Sequence, residues 1–115
     1  MSLDWSEEYP FPVTVCNRNG TILYMNQAST RQFADEGGAH LVGTNLLDCH
    51  PEPARSKLAG LLQTGASNLY TIDKNGQRKV IVQAPWQQDG QYAGLVEISI
   101  PLPADLAHFN RDQPA

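Results

Sequence analysis

The sequence predicts an α+β domain: a five-stranded antiparallel sheet with helices on one face, in the order two strands, a helical insertion, three strands. Three observations predict it. The dipeptides Asn19-Gly20, Asn75-Gly76 and Asp89-Gly90 each sit between β-rich segments, where residues that tolerate positive φ make hairpins. The stretch 51–64 lies between the first hairpin and the other two and places Ala54, Leu58, Leu61 and Leu62 on one helical face. Residues 95–100 (LVEISI) are apolar on both parities save Glu97 and Ser99, which suits a central strand covered on both sides.

The elements follow in order. Residues 3–8 (LDWSEE) predict a short helix with Trp5 as its apolar anchor. Strands are expected at 12–17 and 21–25. Asn26 is placed to cap a helix over 26–36, which Gly37-Gly38 ends. Residues 39–48 are mixed and suit short helical turns. Pro51 opens the clearest helix, at a first position where its missing N–H costs nothing, and Gly65 ends it with a left-handed cap. Strands at 68–74, 77–86 and 91–100 complete the sheet. The domain plan is a cap segment at 1–9, a core domain at 10–100 and a tail at 101–115, with a weak helical segment at 104–109.

The 115 residues carry 12 acids against 8 bases, a net charge of −4, and the bases are scattered. That excludes the basic footprint expected of a nucleic-acid binder. The N-terminus holds acids and no apolar run, so neither a leader peptide nor a membrane span is expected, and the location is expected to be cytoplasmic. Cys16 and Cys49 then read as reduced thiols.

At this level the chain resembles the PAS family of sensor domains. Residues 17–22 (NRNGTI) are similar to that family's D-x-x-G-x-I turn, with Asn17 in place of aspartate. Asn26-Gln27-Ala28 resembles its N-x-A helix start, and residues 41–47 (LVGTNLL) its L-x-G-x-x-L approach to the long helix. Residues 86–100 resemble its closing strands. Ser99-Ile100-Pro101-Leu102 departs from the frequent D-I-T ending, and the segment 47–51 resembles a bacterial subgroup with C-H-P before the long helix. The resemblance implies a sensing or relay module, either standing alone or part of a larger sensor.

Asp48-Cys49-His50 holds the residue types of a thiol nucleophile and its base, but adjacent side chains diverge, so no catalytic pair is expected and the chain does not read as an enzyme. One reading makes Asp48 or His50 a helix cap and Cys49 a packed thiol. The other uses the dipole of the following helix, which would lower the Cys49 pKa and favour a neutral His50. A neutral His50 facing an apolar pocket is a candidate haem ligand. No other metal is expected, because His40, His50, Cys16 and Cys49 have no ligand spacing. Residues 47–51 do not resemble the cysteine motif of the flavin-binding subgroup, so flavin is not expected.

Alternation on the opening strands gives two sets: Thr14, Cys16, Leu23 and Met25 against Val13, Val15, Ile22 and Tyr24. The resemblance implies that the first set faces a cavity. The pocket is then expected from Cys16, Leu23, Met25, Phe33, Cys49, His50, Leu58, Leu61, Leu62, Tyr70, Gln83 and Trp86. The second set, with Trp5, is expected at a homodimer interface, since an apolar outer face must be covered. Three functions fit: a small-ligand sensor that signals to a downstream protein, a ligand-free dimerisation module with a filled core, and a haem- or thiol-based sensor using His50 or Cys49.

Overall fold

The computed structural model describes residues 3–112. Strands β1 (Val13–Cys16) and β2 (Ile22–Met25) are followed by helix α1 (Gln27–Gln32). Three 3-10 turns come next, at Ala34–Glu36, Gly38–Leu41 and Leu46–Cys49. Helix α2 (Ala54–Thr64) leads into β3 (Asn68–Lys74), β4 (Gln77–Gln88) and β5 (Gln91–Pro101). All pairings are antiparallel and the sheet order is β2-β1-β5-β4-β3. β5 is the central strand, as its apolar content on both parities predicts.

The later hairpins turn as their dipeptides dictate. Asn75 (φ 54°) with Gly76 (φ 77°), and Asp89 (φ 55°) with Gly90 (φ 79°), are both left-handed. The first loop differs. Only Gly20 is left-handed, and the Asn17 side chain organises the turn by accepting from the N–H groups of Asn19 and Thr21, both at 3.0 Å.

Asn26 does more than cap. Its Oδ1 accepts from Ser29 N, the capping bond, and from Val13 N, both at 2.9 Å. Its Nδ2 donates to the carbonyls of Ser6 (2.9 Å) and Phe11 (3.0 Å). This fully buried side chain therefore ties the N-terminal segment, β1 and α1 together.

The helix expected over residues 3–8 does not form. Residues 6–9 form a turn instead, in which the Ser6 carbonyl accepts from Tyr9 N–H (3.2 Å) and from Asn26 Nδ2. Trp5 is 57% exposed and stacks edge-on against Tyr9. The helix over 26–36 stops at Gln32, where Phe33 leaves helical dihedrals to pack against the core. The long helix starts at Ala54 rather than Pro51, because Pro53 disfavours the helical region for Glu52. The Glu52 carboxylate instead caps the first turn through Ser56 N (2.9 Å) and Ser56 Oγ (2.7 Å). Gly65 ends α2 in the left-handed region, its N–H on Leu61 O at 2.7 Å. No helix forms over 104–109, where Leu106 and Phe109 are exposed.

The core packs one sheet face against the helices. Cys16, Ile22, Met25 and Leu95 from the sheet meet Leu46, Leu58, Leu61 and Leu62. β2 carries a bulge: Tyr24 pairs with Val15 and Ile22 with Cys16, leaving Leu23 as the extra residue. The bulge reverses the side-chain alternation. Ile22, expected on the outer face, is 2% exposed in the core, and Leu23, expected in the pocket, is 47% exposed.

Candidate functional site

A row of polar side chains crosses the concave sheet face. Strand pairing sets Thr14 on β1 opposite Glu97 on β5, Glu97 opposite Gln83 on β4, and Gln83 opposite Asn68 on β3. Thr14 and Gln83 are almost completely buried. Buried polar groups must find partners, and these do so on α1 and within the row. Thr14 Oγ1 shares a hydrogen bond with Ser29 Oγ of α1. Asn68 Nδ2 donates to Gln83 Oε1 at 3.2 Å, and Gln83 Nε2 to Glu97 Oε2 at 3.5 Å.

The row ends on His50. Its Nδ1 lies 2.9 Å from the Leu46 carbonyl, which can only accept, so Nδ1 carries a hydrogen. Its Nε2 faces Glu97 Oε2 at 3.4 Å, and both side chains are largely buried. Two acceptors flank one ring, so the contact is satisfied when the pair holds one further proton, as imidazolium and carboxylate. Burial opposes the charged ring, but the Glu97 carboxylate and the Leu46 carbonyl outweigh it and hold the His50 pKa above the ordinary histidine value.

A stability prediction follows. The His50 pKa is raised on folding, so its contribution is complete below the unfolded value of 6.5 and fades as pH rises through the folded value. The melting temperature should fall between about pH 6 and about pH 8, and Glu97→Gln should flatten that fall. Equal slopes in both proteins would refute the pairing.

The dipole argument made from sequence is overturned. His50 precedes the first residue of α2 by four positions, beyond the reach of the helix terminus. The Cys49 thiol is pushed up rather than down, by burial and by the nearby carboxylates of Asp48, Glu97 and Glu36. Burial likewise raises Cys16. Neither thiol is activated. Nor does His50 suit haem: both ring nitrogens are engaged, and iron could reach Nε2 only by displacing Glu97. Among the described residues, no group of three or more His, Cys, Asp or Glu could hold a metal.

A cleft of about 520 Å3 opens at the Asn68 end of the row. Ala54 and Lys57 of α2 form one side, and Asn68, Tyr70, Ile72 and Gln83 form the other. Burial and the Glu97 charge push the Tyr70 hydroxyl up to about 12, so it is a neutral donor.

The other expected pocket residues scatter. Cys16, Met25, Leu58, Leu61 and Leu62 are packed in the core, with Phe33 against it. Trp86 lies on the opposite face from Gln83 by strand alternation, and its indole N–H donates to Cys16 O at 3.0 Å. Of the expected interface, Val13 is 2% exposed and Ile22 is in the core, so neither is available to a partner. Tyr24 is held by its own chain, donating to Glu7 Oε2 at 2.8 Å. Val15 and Trp5 remain accessible. Sequence reasoning placed Thr14 on the cavity side but missed Asn68 and Glu97 as site residues; the one signal for Glu97 was an acid inside an apolar strand.

Solved structures share this architecture. The PAS domain of BvgS from Bordetella pertussis superposes with a TM-score of 0.65 at 16% identity, over 85% of this chain and 81% of that one. The Aer2 receptor of Vibrio cholerae, a dual PAS-heme oxygen sensor, gives 0.61 at 18% identity, over 81% and 95%. A sensory box sensor histidine kinase from Vibrio cholerae gives 0.59 at 16%, over 83% and 84%. At such identities the likeness is one of fold. No curated protein matches the sequence. A family model described as PAS fold matches residues 6–102, the whole of the sheet and its helices, and the chain therefore belongs to the PAS fold family.

Proposed function

We propose that this domain is a ligand-sensing relay whose ligand sits in the cleft between α2 and β3–β4. PAS domains are sensory modules of signalling proteins. The observation that carries the reading is the cleft's position: a largely apolar space whose floor is the outer end of the buried polar row. Pockets of this kind combine an apolar body with a few placed polar groups. Here Tyr70 donates and the Asn68 amide offers both a donor and an acceptor. A ligand that competes for Asn68 loosens Gln83, and through Glu97 it alters the hold on His50 and the Leu46–Cys49 turn. A downstream partner reads that shift, in the cytoplasm, where the two thiols stay reduced.

The test is a fragment screen by 1H–15N NMR with small aromatic and aliphatic amphiphiles, alongside native mass spectrometry of the freshly purified protein. Saturable shifts at Lys57, Asn68, Tyr70 and Gln83 that vanish in an Ile72→Trp variant support the reading. A screen that moves none of these amides, with no retained mass, refutes it.

A homodimer through the outer sheet face is favoured by a separate observation. Pairing aligns Val15, Val96 and Ala84 in one row, and Ile98, Val82 and Leu69 in the next, on the face away from the helices. Leu69 is exposed and the other five are only half-buried. Such a patch suits a self-complementary contact. Light scattering should show a dimer at micromolar concentration that Val82→Lys converts to monomer; a wild-type monomer would exclude it.

A further inference from the structure

A second cleft, of about 610 Å3, lies by the β3–β4 turn, and its chemistry is different. Its lining includes Arg31, Gln32 and Asp35, in and just after α1, and Lys74, Gln77 and Lys79 from the hairpin. Alternation puts Lys74, Gln77 and Lys79 on the concave face with Ile81 and Gln83, the side on which α1 lies, with Lys74 and Arg31 still open to solvent. Lys79 is half-buried. Its neighbour Arg78 turns to the other face and pairs with Asp73 at 3.1 Å.

Three of the chain's 8 bases thus surround one space in a protein of net charge −4. Among the described residues, none of the three has a carboxylate within 4.0 Å. The single acid in the lining, Asp35, offsets only one of three. The remaining balance is two positive charges. The same lining holds Gln32, whose Oε1 is buried and has no hydrogen-bond partner among the described residues. A buried acceptor without a donor is costly unless something fills the place.

We propose that this cleft binds a small dianion carrying hydroxyl groups, of the chemical class of a polyol phosphate monoester. Cations from α1, β3 and β4 converge on one compact dianion, and the Gln32 side chain turns its Oε1 outward to accept from a ligand hydroxyl. Arg31 supplies a planar fork suited to phosphate oxygens, while the lysines act as mobile point charges. The site is separate from the cleft beneath α2, so either proposal can fail without the other.

The experiment is an NMR titration of the full chain with glycerol 3-phosphate, with inorganic phosphate, succinate and hexaglutamate as comparison arms. Glycerol 3-phosphate should saturate shifts at Arg31, Gln32, Lys74 and Lys79. Lys79→Gln should weaken it about tenfold, with Lys74→Gln as the second variant should the first fail to fold. Arg111→Gln makes the same charge change in the exposed C-terminal segment and should leave binding unchanged. Inorganic phosphate should bind more weakly, and Gln32→Ala should erase that difference. The proposal is overturned if binding does not saturate, if Lys79→Gln and Arg111→Gln weaken it equally, or if only hexaglutamate binds, which would mark an acidic protein segment as the occupant.

Discussion

Replacing Asn26 with alanine should remove about 4 kcal/mol of stability in urea denaturation, a large share of what a domain of this size possesses. The side chain is fully buried and serves both polarities at once. Its oxygen holds the N–H groups of Val13 and Ser29, and its nitrogen holds the Ser6 and Phe11 carbonyls. Alanine leaves these backbone groups without their side-chain partners. Asn26→Ser discriminates: a serine can still cap α1 but cannot reach the N-terminal segment, so it should cost about half as much. A loss under about 1 kcal/mol for alanine would mean that the junction rearranges freely.

Gly94→Ala should be the most damaging single methyl addition in the chain. A Cβ there would stand 1.9 Å from the Cys16 carbonyl oxygen and 2.8 Å from two Asn17 backbone atoms, and Gly94 has φ 152°. The obstacle is backbone of the neighbouring strand, so no rotamer change relieves it. The same carbonyl accepts the Trp86 indole N–H, which fixes it further. We expect a loss above about 4 kcal/mol, seen as insoluble protein or a collapsed melting transition. Gly60→Ala is the control: it lies within α2 with nothing within 4 Å of its added methyl, and it should gain about 0.5 kcal/mol. Equal melting temperatures for Gly94→Ala and wild type would show that β1 and β5 do not approach so closely.

The parts of this fold that are local chemistry were legible in the sequence. Asn75-Gly76 and Asp89-Gly90 specify their own turns, Gly65 its own cap, and Asn26 its capping bond. The site was legible only as far as register was. Counting outward from Asn75-Gly76 pairs Asn68 with Gln83 correctly, because that hairpin is regular. Counting outward from Asp89-Gly90 would pair Gln83 with Val96. The bulge at Trp86/Gln87 moves the register by one residue and brings Glu97 there instead. No dipeptide announces that bulge, nor the one at Leu23, and each reverses which side chains meet. The partnership of His50 with Glu97 depends on the same slip. It also joins the helical insertion to the last strand, a distance that no local pattern spans. The N-terminal segment misled for another reason: its composition favours helix, while a turn at residues 6–9 is tied to a distant amide through the Ser6 carbonyl.

The extra residue in β2 bears on solubility as well as on packing. β2 is an outermost strand, where a regular comb of unpaired amides would template another chain. Ile22 presents no such comb, since its N–H is taken by the Thr44 carbonyl and its carbonyl by the Gly43 N–H, both at 2.8 Å. The irregularity at Leu23 then interrupts the three residues that remain. An apolar run that looks adhesive on paper, Ile22-Leu23-Tyr24-Met25, is thereby kept from zipping onto a neighbour. Deleting Leu23 would straighten the strand, and it would also turn a guarded border into a sticky one.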